Sequence, residues 1–190
     1  MIYGANASGK TTILQALNFL RDLVLEPEEE KTVTLDFNPF LFDARTPKEN
    51  TILTIDFIQN EVRYYYEVEF NKRAIIREEL YFYNPTKANV FKRTTDVNKQ
   101  YAQITFGGKI KKDKTFEKTL ESNTLWNNTV LGGYLKTNIE LKELKDATDW
   151  FSYYLRPLIS SKTDLESYVT SRIDSTEIRK EDILNIGIIV

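Results

Sequence analysis

Between residues 51 and 106 apolar side chains alternate with polar ones, and short polar turns separate the runs. Leu53, Ile55 and Phe57 alternate, then Asn60-Glu61 turns the chain. Val62, Tyr64, Tyr66, Val68 and Phe70 follow on one face, with Arg63, Tyr65, Glu67 and Glu69 on the other. This is the period of a strand with one packed face. Asn71-Lys72 turns the chain again into Ala74 to Tyr83, and Val90 to Arg93 and Tyr101 to Phe106 add two shorter strands. Connections this short join antiparallel neighbours, because a parallel return needs a long crossover. The residues upstream, Thr32 to Phe37, read as one further strand, broken by Asn38-Pro39.

A second feature precedes this meander. Gly4-Ala5-Asn6-Ala7-Ser8-Gly9-Lys10-Thr11 fits the pattern G-x-x-x-x-G-K-[ST] without a mismatch. In such a loop successive backbone N–H groups curl around a phosphate. Gly4 and Gly9 allow close approach that a Cβ would obstruct. Lys10 supplies a cation for the β- and γ-phosphates, and Thr11 a hydroxyl for a magnesium ion. Ile13, Leu14, Leu17, Leu20, Leu23 and Val24 then recur at helical spacing, so an amphipathic helix with a wide apolar face is expected, running out near Leu25. Ile2-Tyr3 is apolar enough to end a short strand, which completes the strand, loop, helix order.

Three segments follow: residues 1–31 as phosphate-binding loop and first helix, 32–108 as an antiparallel sheet lobe, and 109–190 as a helical region. Pro27 and Glu28-Glu29-Glu30 form an acidic connector, and Gly107-Gly108 closes the sheet. In the last segment Thr129 to Leu135, Leu141 to Leu155 and Thr176 to Ile186 read as helices, with Pro157 ending the second. Tyr153, Tyr154, Leu155, Leu158 and Ile159 are expected to pack between helices. Lys109, Lys111, Lys112, Lys114 and Lys118, interrupted by Asp113 and Glu117, read as a solvated turn of mixed charge. The strand launching the loop has only Met1, Ile2 and Tyr3, and the chain stops on the apolar run Ile186 to Val190. Both ends suggest a piece of a larger domain, with apolar edges that favour self-association or a partner subunit.

Cysteine and histidine are both absent. That excludes thiol catalysis, disulfides, imidazole bases and the usual zinc sites. Any metal would be a hard one on oxygen ligands, which points to Mg²⁺. A net charge of −2 does not support a chain-wide footprint for nucleic acid. No apolar run is long enough for a bilayer, so no membrane is expected and the location reads as cytoplasmic. The abundant tyrosines and phenylalanines are expected to pack the sheet.

Hydrolysis needs more than a loop: an Asp at the end of a buried strand, and a group that orients water. Leu53-Thr54-Ile55-Asp56 and Val33-Thr34-Leu35-Asp36 are interrupted by threonine, and Leu80 to Tyr83 is followed by no acid. Glu67, Glu69, Glu78 and Glu79 form a carboxylate group, but charges belong on the open face of a strand. Catalytic residues remain unknown.

The run Ile2 to Leu17, with its Asn-Ala-Ser-Gly-Lys core, resembles the start of AAA-type ATP-binding proteins with an ABC-ATPase-like head, relatives of the OLD and abortive-infection ATPases of prokaryotes. Weaker echoes lie at Phe57 to Glu69, Glu78 to Tyr81, Val90 to Arg93, Ser122 to Leu125 and Trp150-Phe151. The resemblance implies an α/β (or α+β) fold: a partial P-loop NTPase head with an antiparallel side sheet and a helical insertion. It implies ATP and Mg²⁺ as cofactors, with Gly4, Asn6, Ser8, Gly9, Lys10, Thr11 and Thr12 at the nucleotide and Thr11 at the metal. Such heads work in pairs and often with nuclease partners. This chain departs from the pattern, since the signature motif, the magnesium-binding acid and the switch region are not found. ATP binding without hydrolysis by the chain alone is therefore expected. The alternative is a protein-interaction module with a vestigial nucleotide loop.

Overall fold

The computed structural model describes residues 10–37, 49–111 and 114–155. They all lie in the first of two compact units, Met1–Pro157 and Leu158–Val190. The order is α1 (Lys10–Leu25), β1 (Thr51–Gln59), β2 (Val62–Phe70), β3 (Ile75–Tyr83), β4 (Lys87–Asp96), β5 (Tyr101–Phe106), α2 (Lys114–Asn123), α3 (Val130–Leu135) and α4 (Lys142–Tyr153). The strands form one antiparallel sheet in sequential order β1-β2-β3-β4-β5. Helix and antiparallel sheet thus combine as expected for the mixed class. Among the described residues no helix is long and apolar enough to cross a membrane.

Local chemistry sets the hairpins. Asn60 and Glu61 carry φ of 50° and 64°, which gives the primed two-residue turn that matches strand twist. The period-two face of β2 is buried as the sequence predicts, with Tyr64, Tyr66, Val68 and Phe70 almost fully enclosed. In β4 the alternation fails, because Val90 and Phe91 both point inward. A bulge between Leu80 and Tyr81 of the partner pairing explains this: Phe91 opposes Leu80 and Asn89 opposes Tyr81, leaving Val90 unopposed. The Asn89 amide donates to the carbonyls of Leu80 and Phe91 there. Gly107 closes against the same spot, its N–H bonding Val90 O at 3.0 Å. A Cβ on Gly107 would stand 2.0 Å from Asn89 O.

The helices cover the inner face. Aromatic rings mesh there: Phe57 stacks on Tyr64 and Trp150, while Phe151 meets Tyr66 edge-on. Asp146 of α4 reaches back to the β1–β2 hairpin, accepting from Tyr64 at 2.7 Å and Asn60 at 2.8 Å and pairing with Lys142. Burial alone would raise its pKa, but these donors outweigh burial and hold the carboxyl below its usual range.

Four expectations need correction. Thr32 to Phe37 is not a strand: residues 33–37 have no ladder, and only Leu35 N–H reaches across, to Lys72 O. The Asn127 side chain takes the Val33 carbonyl instead. The lysine cluster is not simply a turn, since α2 begins at Lys114. Tyr153 and Tyr154 do not pack between helices; they are 55% and 66% exposed, because α4 buries the stripe Leu144, Ala147 and Phe151 on its other side. The α1 apolar face is used only in part: Leu20, Leu23 and Val24 are buried, but Ile13 and Leu14 stand in solvent. Leu158, Ile159 and the expected helix Thr176 to Ile186 lie outside the described residues, as do Met1 to Tyr3 and Ile186 to Val190.

Candidate functional site

Of the expected nucleotide contacts, Gly4, Asn6, Ser8 and Gly9 lie outside the described residues. Lys10 is the first residue of α1, and Thr11 and Thr12 occupy its exposed first turn. The opening N–H groups of a helix have no intrahelical acceptor and carry the positive end of its dipole. The first turn holds no acidic residue that would compete for them. A phosphate preceding Thr11 would thus meet a positive dipole end and two hydroxyls.

The other end of α1 is anchored by an unexpected device. Residues 126–129, Trp-Asn-Asn-Thr, read the backbone that leaves the helix. Thr129 Oγ1 donates to Leu23 O, the Asn128 side chain both accepts from Glu28 N and donates to Glu28 O, and Asn127 donates to Glu30 O and Val33 O. The Trp126 indole N–H bonds Lys31 O at 2.6 Å. Lys136 adds a bond to Glu28 O. A connector that forms no regular structure still needs partners for its peptide groups, and here side chains from about a hundred residues away supply them.

The same run is tied to the sheet. Trp126 O accepts from Ile75 N–H and from Arg93, each at 3.0 Å. Arg93 faces Glu78 across β3 and β4, both completely buried. Glu78 accepts from Tyr66 Oη at 2.9 Å and from the Val130 N–H at 2.6 Å. Burial pushes the Glu78 carboxyl up to about 7, against the pull of Arg93 and of its hydrogen bonds. Burial also lowers the Arg93 pKa, yet its guanidinium keeps its charge at neutral pH.

The four glutamates considered together in sequence are therefore divided. Glu67, Glu69 and Glu79 share the outer face, where all three grip Arg77. Glu78 alone turns inward. Its parity with Leu80 and Phe82 on the same strand was the available signal. Among the described residues no group of acidic side chains is arranged to hold a metal ion.

Comparison with known proteins adds one finding. The family model described as AAA domain, putative AbiEii toxin, Type IV TA system matches residues 1–125. No curated protein and no solved structure matches the chain.

Proposed function

The chain belongs to this AAA-domain family of nucleotide-binding, ATPase-like proteins, and from that premise we propose that it binds ATP with Mg²⁺ through Gly4 to Thr12. The observation that carries the reading is the start of α1 at Lys10, directly after the glycine loop, with Thr11 and Thr12 exposed. Gly4, Asn6, Ser8 and Gly9 would line the phosphates with backbone N–H groups. Lys10 would meet the terminal phosphates and Thr11 the metal. Mg²⁺ supplies charge neutralisation between phosphate oxygens when bound.

Hydrolysis by the chain alone is not part of the proposal, because the sequence shows no uninterrupted apolar run ending in the acid that would hold the metal. Ile13 and Leu14, exposed one turn beyond the loop, favour contact with a second copy or a partner subunit at this end of α1.

Calorimetry with MgATP tests the site. Lys10→Ala should weaken binding roughly ten- to hundredfold, as expected for a charged hydrogen bond, whereas Lys112→Ala should not. Equal losses, or no binding by the parent chain, would favour the interaction-module reading. A phosphate-release assay should give no turnover above that of Lys10→Ala; turnover that disappears in this variant would reveal an overlooked catalytic carboxylate.

A further inference from the structure

Beyond the far end of α1, the connector and the β2–β3 and β4–β5 turns enclose a cleft of about 480 Å³. That is a size typical of small-ligand sites. Helix α1, which begins at Lys10, is 16 residues long, or roughly 24 Å, and the connector residues that line the cleft follow its far end. Lys31 enters from the connector, Arg73 from the β2–β3 turn, and Asn98 and Gln100 from the β4–β5 turn. Trp126 and Val97 add apolar wall.

The charges do not balance within it. No Asp or Glu lines the cleft, and neither Lys31 nor Arg73 has an ion-pair partner among the described residues. Two acids stand at its edge with partners of their own: Asp96 accepts from the N–H groups of Asn98 and Lys99 and pairs with Lys99, and Glu30 accepts from Thr32. Two cations beside one cleft with no carboxylate in its wall favour an anion there. Trp126 is only 8% exposed, and its indole N–H is already spent on Lys31 O.

We propose that this cleft binds a small organic anion, its phosphate or carboxylate head held by Lys31 and Arg73 and its apolar body laid against Trp126 and Val97. Arg73 suits either head, because its planar fork matches both oxyanions. Asn98 and Gln100 supply amide groups that orient the head. An occupied cleft would add a tie between the connector and the sheet.

The chain has two tryptophans, Trp126 and Trp150, so Trp150→Phe leaves Trp126 as the only indole reporter. Lys10→Ala in the same chain silences the glycine loop, and the outcome is then independent of ATP binding there. Phenyl phosphate and benzoate are the anionic probes, with benzyl alcohol as neutral control. At least one anion should change Trp126 emission saturably, and benzyl alcohol should not; which anion binds tighter identifies the head. Arg73→Ala should weaken that binding roughly ten- to hundredfold. Lys31 and Arg73 are exposed, so their replacement leaves the core intact. If Trp150→Phe does not fold, calorimetry with the same probes on the Lys10→Ala chain gives the answer. No saturable response to either anion, an equal response to benzyl alcohol, or an affinity unchanged in both Arg73→Ala and Lys31→Ala would overturn the proposal.

Discussion

Replacing Glu78 by Gln removes a completely buried carboxyl that titrates at about 7, against an ordinary value of 4.5. The folded state holds this proton more tightly than the unfolded one. Glu78 thus contributes most to stability below pH 4.5, and that contribution is lost as pH rises through the folded value near 7. At about 1.4 kcal/mol per pKa unit, the loss between pH 5 and pH 8 is about 2–3 kcal/mol. Gln keeps the shape and one acceptor for the Val130 N–H, but it does not titrate. At pH 5 the folded carboxyl is protonated and neutral like Gln, so the two proteins should be close in stability there, and Glu78→Gln should be the more stable at pH 8. Urea unfolding of both proteins from pH 5 to pH 8 measures the effect. The difference between them should shift by about 2–3 kcal/mol in favour of Glu78→Gln as pH rises. Parallel profiles would refute the reasoning, because they would mean that the carboxyl titrates alike in the folded and unfolded chain.

Three further outcomes follow from the packing. Asn127→Ala frees two connector carbonyls, those of Glu30 and Val33, and should cost about 1–3 kcal/mol in thermal or chemical unfolding. Gly107→Ala drives a methyl onto Asn89 O and should cost about 1–3 kcal/mol, with exchange protection lost first around the β4 bulge. Asp146→Ala strands the buried hydroxyl of Tyr64 and frees the amide of Asn60 to water; about 1–3 kcal/mol should be lost at neutral pH, and less in strong acid, where the native Asp146 is itself protonated.

The meander was legible because alternation and turn chemistry agree over β1, β2 and β3: wherever Tyr64, Tyr66 and Val68 go inward, Arg63 and Glu67 go outward. The helix after the glycine loop was legible from its 3.6-residue period. Thr32 to Phe37 misled because it alternates as well as any strand; the Val33 carbonyl is instead taken by Asn127, and no local pattern announces a donor 94 residues away. The bulge at Val90 was hidden for a similar reason, since it depends on pairing with β3 and not on the β4 sequence alone. Glu78 sits in the string Arg77-Glu78-Glu79, which reads as surface charge. Only its parity with Leu80 and its register opposite Arg93 mark it as interior. The glycine loop was legible as a motif, whereas the cleft was not, because its walls come from four separated segments.

The clamp on the connector also has a consequence for how the chain is made. Leu23, Glu28, Glu30 and Lys31 find their partners 95 to 106 residues downstream. On a ribosome adding roughly 5–20 residues per second, the first helix emerges roughly 5–20 seconds before anything can seat its trailing end. The five strands lie between the two halves of the clamp, so the hairpins are synthesised, and free to zip by local contacts, during that wait. The trailing end of the first helix is thus fastened only when Trp126 to Thr129 arrive. A mutation that weakens the clamp would prolong the interval in which Leu20, Leu23 and Val24 face chaperones and proteases instead of the core.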